Sequence, residues 1–305
     1  CRFTGVGAYS PATAKEPEVK RHAAAVAAVL AVVPAAVAGC GTGEPQSGAA
    51  VLAATPITVA DTGSPVGTTL AAIYRAAFAR AGVDAVVVPT RGLPDGLAAL
   101  DDTRVSVLPT FSGDALALLD RSSDARSSED VHEALARSLP DWLTVADSAT
   151  AADDVVVRTS STVTGAATLS AFAPSCADAT VRVIGESDVA GSDATLATLA
   201  DVYGCRFRAR VGENAGVLVG RALTAPLPET AADATTLADD RTAFPAQEVV
   251  PIVRKGALDE SAGSALETVA GELTTADLAA SVERVAAGES ADAVAQRWVD
   301  EAGGR

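Results

Sequence analysis

Methionine is absent from the 305 residues, and only two His, three Lys and four Cys are present. Aromatic side chains make up 4%. Two His and four Cys cannot supply a conventional zinc cluster together with its supporting groups, so no metal or other cofactor is expected. Positive charge is also short. The chain carries 23 basic residues against 39 acidic ones, a formal net charge of −16 and an isoelectric point near 4.5. Such a chain is a poor polyanion binder, which argues against nucleic acid as a partner. Disorder is excluded from the other side: 49% of residues are apolar, and the length suffices for one large or two medium cores.

The few positive charges are unevenly placed. Lys20-Arg21-His22 precede an uncharged apolar run from Ala23 to Gly39, which ends Val37-Ala38-Gly39-Cys40. A basic end, a short apolar core and small residues before a Cys form a secretory leader of the lipoprotein type, with Cys40 as lipid acceptor. A permanent transmembrane helix fits less well, because the 17-residue run contains Pro34 and falls short of the ~20 residues a span needs. Residues 1–39 are therefore read as a signal peptide, with 1–18 an over-extension upstream of a start near Val19. Two acyl chains on Cys40 would hold the protein stably at the outer face of the cytoplasmic membrane. Residues 40–55, rich in Gly, Ala, Pro and Ser, read as a flexible tether. Residues 1–39 carry four basic and two acidic side chains, so the remainder has 19 against 37, a balance of −18.

Cys176 and Cys205 remain as an even pair in a secreted body, where a disulfide is the default expectation. Two separate buried thiols are the alternative. His132, the only His after the leader, sits in the helical-looking stretch from Ser128 to Leu135 and reads as a surface histidine.

Strand and helix signals alternate along the body. Residues 56–60 and 84–88 read as strands around a helix over 70–81, whose apolar positions recur at helical spacing before Gly82. A short helix over 96–100, a strand over 105–108 and a turn into a helix over 111–119 follow. A second run has strands at 155–157, 181–184 and 207–211, with helices near 168–172, 194–203 and 215–222. The strand over 249–253 contains Pro251, which predicts an edge or a crossover. Thr274 with Asp277 reads as a capping pair, and Ser290 opens a last helix. The rhythm implies an α/β fold. No repeat of 20–50 residues, Gly-rich phosphate loop or Gly-x-Ser-x-Gly elbow occurs, and no acid–base pair stands out among so many carboxylates, so no enzymatic activity is expected.

Several segments together resemble the substrate-binding subunits of ABC importers for glycine betaine, choline, carnitine and related osmoprotectants. The most specific is Leu237-Ala-Asp-Asp-Arg-Thr-Ala-Phe-Pro-Ala-Gln-Glu-Val-Val-Pro-Ile-Val-Arg254, similar to that family's second crossover. Thr110-Phe-Ser-Gly113 resembles its aromatic-Thr-Gly turn, and Asp201-Val-Tyr-Gly204 its Tyr-Gly segment. Gly271-Glu-Leu-Thr-Thr275 and Val294-Ala-Gln-Arg-Trp-Val299 resemble its final helices. The resemblance covers residues 56–302. It implies a type II periplasmic-binding-protein-like fold: lobe 1 from 56–154 and 252–305, lobe 2 from 155–251, two crossovers, and closure on a small ligand at the cleft. The implied partners are that ligand, an ABC permease and, through the anchor, the membrane; the protein is expected to be a monomer. The alternative is a lipid-anchored sensor or scaffold that keeps the fold without transport.

The chain departs from that family where ligand would bind. The family commonly holds a trimethylammonium head in an aromatic cage. Here Phe111 is the best cage residue, with packing in the core as its alternative. Trp142 is next and could equally anchor the hinge. Asp61-Thr62 replaces the family's common Ser-Lys, Asp114 follows the turn glycine where the family has Thr, and Asp153 falls near a cage Tyr. No Arg accompanies Ser192-Asp193. Thr62, Gly63 and Ser64 either present N–H and hydroxyl groups to ligand or cap the following helix. Ser112 completes the ligand-binding set of Asp61, Thr62, Ser64, Phe111, Ser112, Asp114, Trp142 and Asp153. Arg158 reads as an inter-lobe partner or a surface residue. With carboxylates gained and donors for a ligand carboxylate lost, Coulomb sign favours a cationic or neutral-polar ligand; the alternative is that these Asp residues are solvated and the pocket differs elsewhere.

Overall fold

The protein is described here from a computed structural model covering residues 55–160, 165–185, 189–226 and 234–303, without the side chains of 160 and 189–193. The leader, Cys40, the tether as far as residue 54 and the Ser192-Asp193 side chains lie outside the described residues.

The first lobe begins with β1 (Ile57–Asp61), α1 (Pro65–Arg80) and β2 (Ala85–Pro89). Helix α1 starts five residues before its apolar periodicity. Pro65 stands in its first turn, where a missing N–H costs nothing, and the Ser64 hydroxyl accepts from Gly67 N at 2.9 Å. It stops at Gly82, which takes φ +77°. Leu70, Ile73, Tyr74 and Phe78 are all fully buried, each contributing roughly 1.5–3 kcal/mol of hydrophobic stabilisation. The chain continues through α2 (Gly92–Asp101), β3 (Val107–Phe111), α3 (Ser112–Leu119), α4 (Ser128–Ser138) and β4 (Leu143–Val145).

The second lobe holds β5 (Val155–Ser160), α5 (Leu169–Phe172), β6 (Thr180–Val183), α6 (Val189–Tyr203), β7 (Ala209–Arg210), β8 (Val217–Arg221) and β9 (Ala234–Leu237). The chain returns as β10 (Val249–Arg254), then α7 (Glu260–Glu272), α8 (Thr275–Ala286) and α9 (Ala291–Ala302), which pack on α1. Thr274 caps α8 through Asp277, with hydrogen bonds in both directions.

The sheets are separate. One has strand order β2-β1-β3-β10-β4 and the other β7-β6-β8-β5-β9. Each mixes parallel pairs with antiparallel partners: β10 runs against β3 and β4, and β5 against β8 and β9. This is the two-lobed type II architecture expected from the sequence. β10 lies wholly in the first sheet.

Two expectations need correcting. Residues 217–221 form a buried strand, where a helix over 215–222 was expected. A short apolar run carries too little periodicity to separate the two, and its β-branched Val217 and Val219 suit a sheet. Pro251 is also interior, since β10 has neighbours on both sides. It faces Pro109 across β3. Its carbonyl accepts from Ala146 N at 3.0 Å, just beyond the end of β4. The missing N–H therefore falls where the ladder has already ended.

In the second lobe Cys176 and Cys205 are disulfide-bonded, with Cα atoms 5.2 Å apart. Both are buried beside Phe172, Leu199 and Val219.

Candidate functional site at the lobe junction

The two crossovers run side by side. Asp153 N donates to Gln247 O at 2.9 Å, Val249 N to Ala151 O at 2.8 Å, and Gln247 N to Asp154 Oδ1 at 2.9 Å. A third segment joins them. After β8 the chain turns back at 222–225, and Leu223 is buried in the first lobe's core. Asp153 fastens this segment. Its carboxylate accepts from Leu223 N (2.6 Å), Thr224 N (3.0 Å) and the Thr224 hydroxyl (2.5 Å).

Beside this hinge lies a cleft of about 210 Å³. The first lobe supplies Thr62, Ser64, Phe111 and Asp114, with Val66, Leu70 and Leu93 as apolar walls; the second-lobe turn supplies Thr224. The N-terminus of α1 opens onto it. At Gly67 an added Cβ would fall 2.0 Å from the Thr62 hydroxyl, so the glycine leaves room for that group at the rim. Gly113 serves closeness too: its missing Cβ would lie 2.7 Å from Ala246 O. There the start of α3 is sewn to the second crossover, with Ser112 N donating to Glu248 O (2.9 Å), the Ser112 hydroxyl to Ala246 O (3.2 Å) and Asp114 N to Gln247 Oε1 (3.0 Å).

Of the eight residues singled out from sequence, Thr62, Ser64, Phe111 and Asp114 come together on this cleft. The other four are not among its lining residues, and each is engaged elsewhere. Asp61 accepts from Gly63 N at 2.8 Å and from the Thr68 hydroxyl at 3.0 Å, holding the turn into α1. Ser112 is tied to the crossover. Asp153 is fully buried in the hinge. Trp142 is half exposed, and its indole donates to Asp101 Oδ1 at 2.8 Å. It sits at the β4 end of the sheet, two strands from β3, the strand that delivers Phe111.

Sequence reasoning missed Arg221, the last residue of β8. Its Nη1 reaches Asp114 Oδ1 at 3.0 Å, across the lobes. Its Nε donates to Asp153 O at 2.9 Å and lies 3.1 Å from Asp153 Oδ2. Its guanidinium carbon stands 5.9 Å from the centre of the Phe111 ring. Burial opposes the charge on Arg221, but Asp114 and then Asp153 more than offset it, and its pKa stands above the ordinary arginine value. Asp154 moves upward, chiefly because burial disfavours its charge, partly countered by the Gln247 N–H. Arg221 thus sets one positive charge against Asp114 and Asp153, which lowers the surplus of negative charge inferred from sequence without cancelling it, and neutral local donors occupy Asp61. Among the described residues Arg221 makes an ion pair between the lobes, with Asp114.

Residues 55–301 match the family model of the substrate-binding domain of ABC-type glycine betaine transport systems. The chain belongs to this family. Its members are the solute-binding subunits of ABC importers, which favours that reading over a sensor or scaffold. No curated protein matches the chain in sequence. Among solved structures, a glycine betaine/carnitine/choline ABC transporter protein is 13% identical, with TM-score 0.67, covering 80% of this chain and 98% of the other. Apo YehZ from Escherichia coli is 15% identical, with TM-score 0.65, covering 81% and 99%. At these identities the likeness is one of fold.

The segments that carried the family resemblance are largely structural. Asp239 accepts from Ala243 N at 2.9 Å, Phe244 N at 3.1 Å and the Tyr203 hydroxyl. Arg241 N donates to that hydroxyl at 2.8 Å, and the Arg241 guanidinium lies 5.4 Å from the Tyr203 ring centre. The Asp-Asp-Arg and Tyr-Gly motifs therefore meet in one knot that fixes the second crossover to α6. Among the described residues no helix is long and apolar enough to cross a membrane.

Proposed function

We propose that this protein captures a small quaternary-amine osmolyte, glycine-betaine-like or choline-like, by closure of its two lobes, and passes it to an ABC permease without catalysis. The observation that carries this is a cleft lined from both lobes, with an aromatic ring, a carboxylate and hydroxyls at its rim, in a chain of this family. Phe111 offers a ring face to the ammonium, Asp114 offset charge, and Thr62, Ser64 and Thr224 hydrogen bonds to ligand oxygen. Because ligand bound only by the native state raises stability, a thermal-shift screen tests the reading. Glycine betaine, choline, carnitine and proline betaine form the test set, with polyamines as controls. At 100 times Kd, a quaternary amine is expected to add about 2.7 kcal/mol. No shift with any quaternary amine would sink the proposal.

Residues 1–39 direct export and Cys40 bears the lipid, leaving a monomeric body outside the cytoplasmic membrane. A Cys40→Ser variant is expected to leave the membrane fraction for the medium. Its retention in the membrane at wild-type levels would refute the anchor.

A further inference from the structure

Arg221 stands against two of the groups that a ligand's cation would use. Its guanidinium lies 5.9 Å from the Phe111 ring centre and pairs with Asp114 at 3.0 Å. Both partners line the cleft, beside Thr224 of the same turn. The third nitrogen, Nη2, is buried and has no hydrogen-bond partner among the described residues. Nε and Nη1 are already satisfied by Asp153 and Asp114. A buried N–H without an acceptor is costly, and an ionised acceptor is its best remedy.

We propose that Arg221 is an internal cation that occupies the cleft's cation subsite and selects ligands by charge. A permanent cation such as choline must take Phe111 and Asp114 from the guanidinium, and it meets a like charge there. A ligand that also carries a carboxylate can give that carboxylate to Nη2 and so turns the same guanidinium into a partner. Arg221 is thus a specificity-determining residue that favours zwitterions over simple cations. The inference rests on reading the cleft as a quaternary-amine site.

Calorimetric titration of the wild-type protein and of Arg221→Gln with choline and with glycine betaine tests it. The ratio of choline to betaine affinity is expected to rise at least tenfold in Arg221→Gln. An unchanged ratio overturns the proposal. Arg221 also supports the hinge, so Asp114→Asn supplies a second variant, at a partly exposed side chain. With Asp114 neutralised the guanidinium keeps only Asp153 as a carboxylate partner, the ammonium of either ligand loses Asp114, and choline is expected to weaken at least tenfold more than betaine, whose carboxylate the guanidinium can still take. Equal weakening of both ligands, or no change in either, counts against the selector. If wild type binds neither of these ligands, nor carnitine nor proline betaine, the functional reading fails by itself. The selector then stands only if Arg221→Gln binds choline, and falls if it does not.

Discussion

Replacing Asp153 with Ala is expected to cost about 3–5 kcal/mol, the range seen when one partner of a buried, hydrogen-bonded charge pair is removed. For a body of this size that lowers the melting temperature by roughly 6–20 °C. Asp153 is 0% exposed. Its carboxylate satisfies two backbone N–H groups and a hydroxyl and faces Arg221 Nε. Truncation would leave the three donors without their acceptor and Arg221 without one of its two carboxylate partners, although Nε keeps the backbone oxygen of residue 153. The effect should reach the cleft as well. The turn that Asp153 fastens carries Thr224, so ligand affinity should fall together with stability. Asp153→Asn can keep one accepting oxygen and is expected to lie between wild type and the Ala variant. Thermal denaturation of the three proteins checks this. A loss below about 2 °C for Asp153→Ala would mean that water or a relaxed backbone replaces the carboxylate.

Removing the Cys176–Cys205 bond is the second large expectation. The 29-residue separation gives a loss of roughly 3–4 kcal/mol in the chain-entropy model. The effect should be local. Both cysteines belong to the second lobe's core, and neither belongs to the clusters around α1 or β3. Hydrogen exchange on a Cys176→Ser/Cys205→Ser double variant should show lost protection in β6, β8 and β5. β1, β3 and β10 should keep theirs. Equal loss in both sheets would show that the lobes unfold as one unit and that local stapling is the wrong description.

Much of the fold was legible because its signals are local. Ser64, Pro65 and Gly82 bound α1, and Thr274 with Asp277 opens α8; each acts within a few residues of where it is read. The strands at 57–61, 85–89 and 249–254 declare themselves as short runs rich in β-branched residues. β8 was misread because five residues hold too little of either period. Pro251 was misread because a proline's tolerance depends on where its partner strand stops. The site was half legible. Thr62, Ser64, Phe111 and Asp114 follow strand ends in the first lobe and meet at one cleft, as the chain's alternation of strand and helix allows. Trp142 looked like a cage residue only from its distance along the chain.

By itself the sequence determined the α/β class and the caps, and it left Cys176 and Cys205 as the pair available for a disulfide. These rest on periodicity, on local hydrogen bonding and on a small count of reactive side chains, whereas the two-lobed plan came from the resemblance to a known family. Only the tertiary structure decided the electrostatics of the cleft. Arg221 lies 107 residues from Asp114 and 68 from Asp153, and no periodic pattern links such positions. They meet because the chain crosses between lobes, turns back after β8 and inserts Leu223 into the other lobe's core. An ion pair depends on angstroms between distant segments, so the charge balance of a site is settled only when those segments pack.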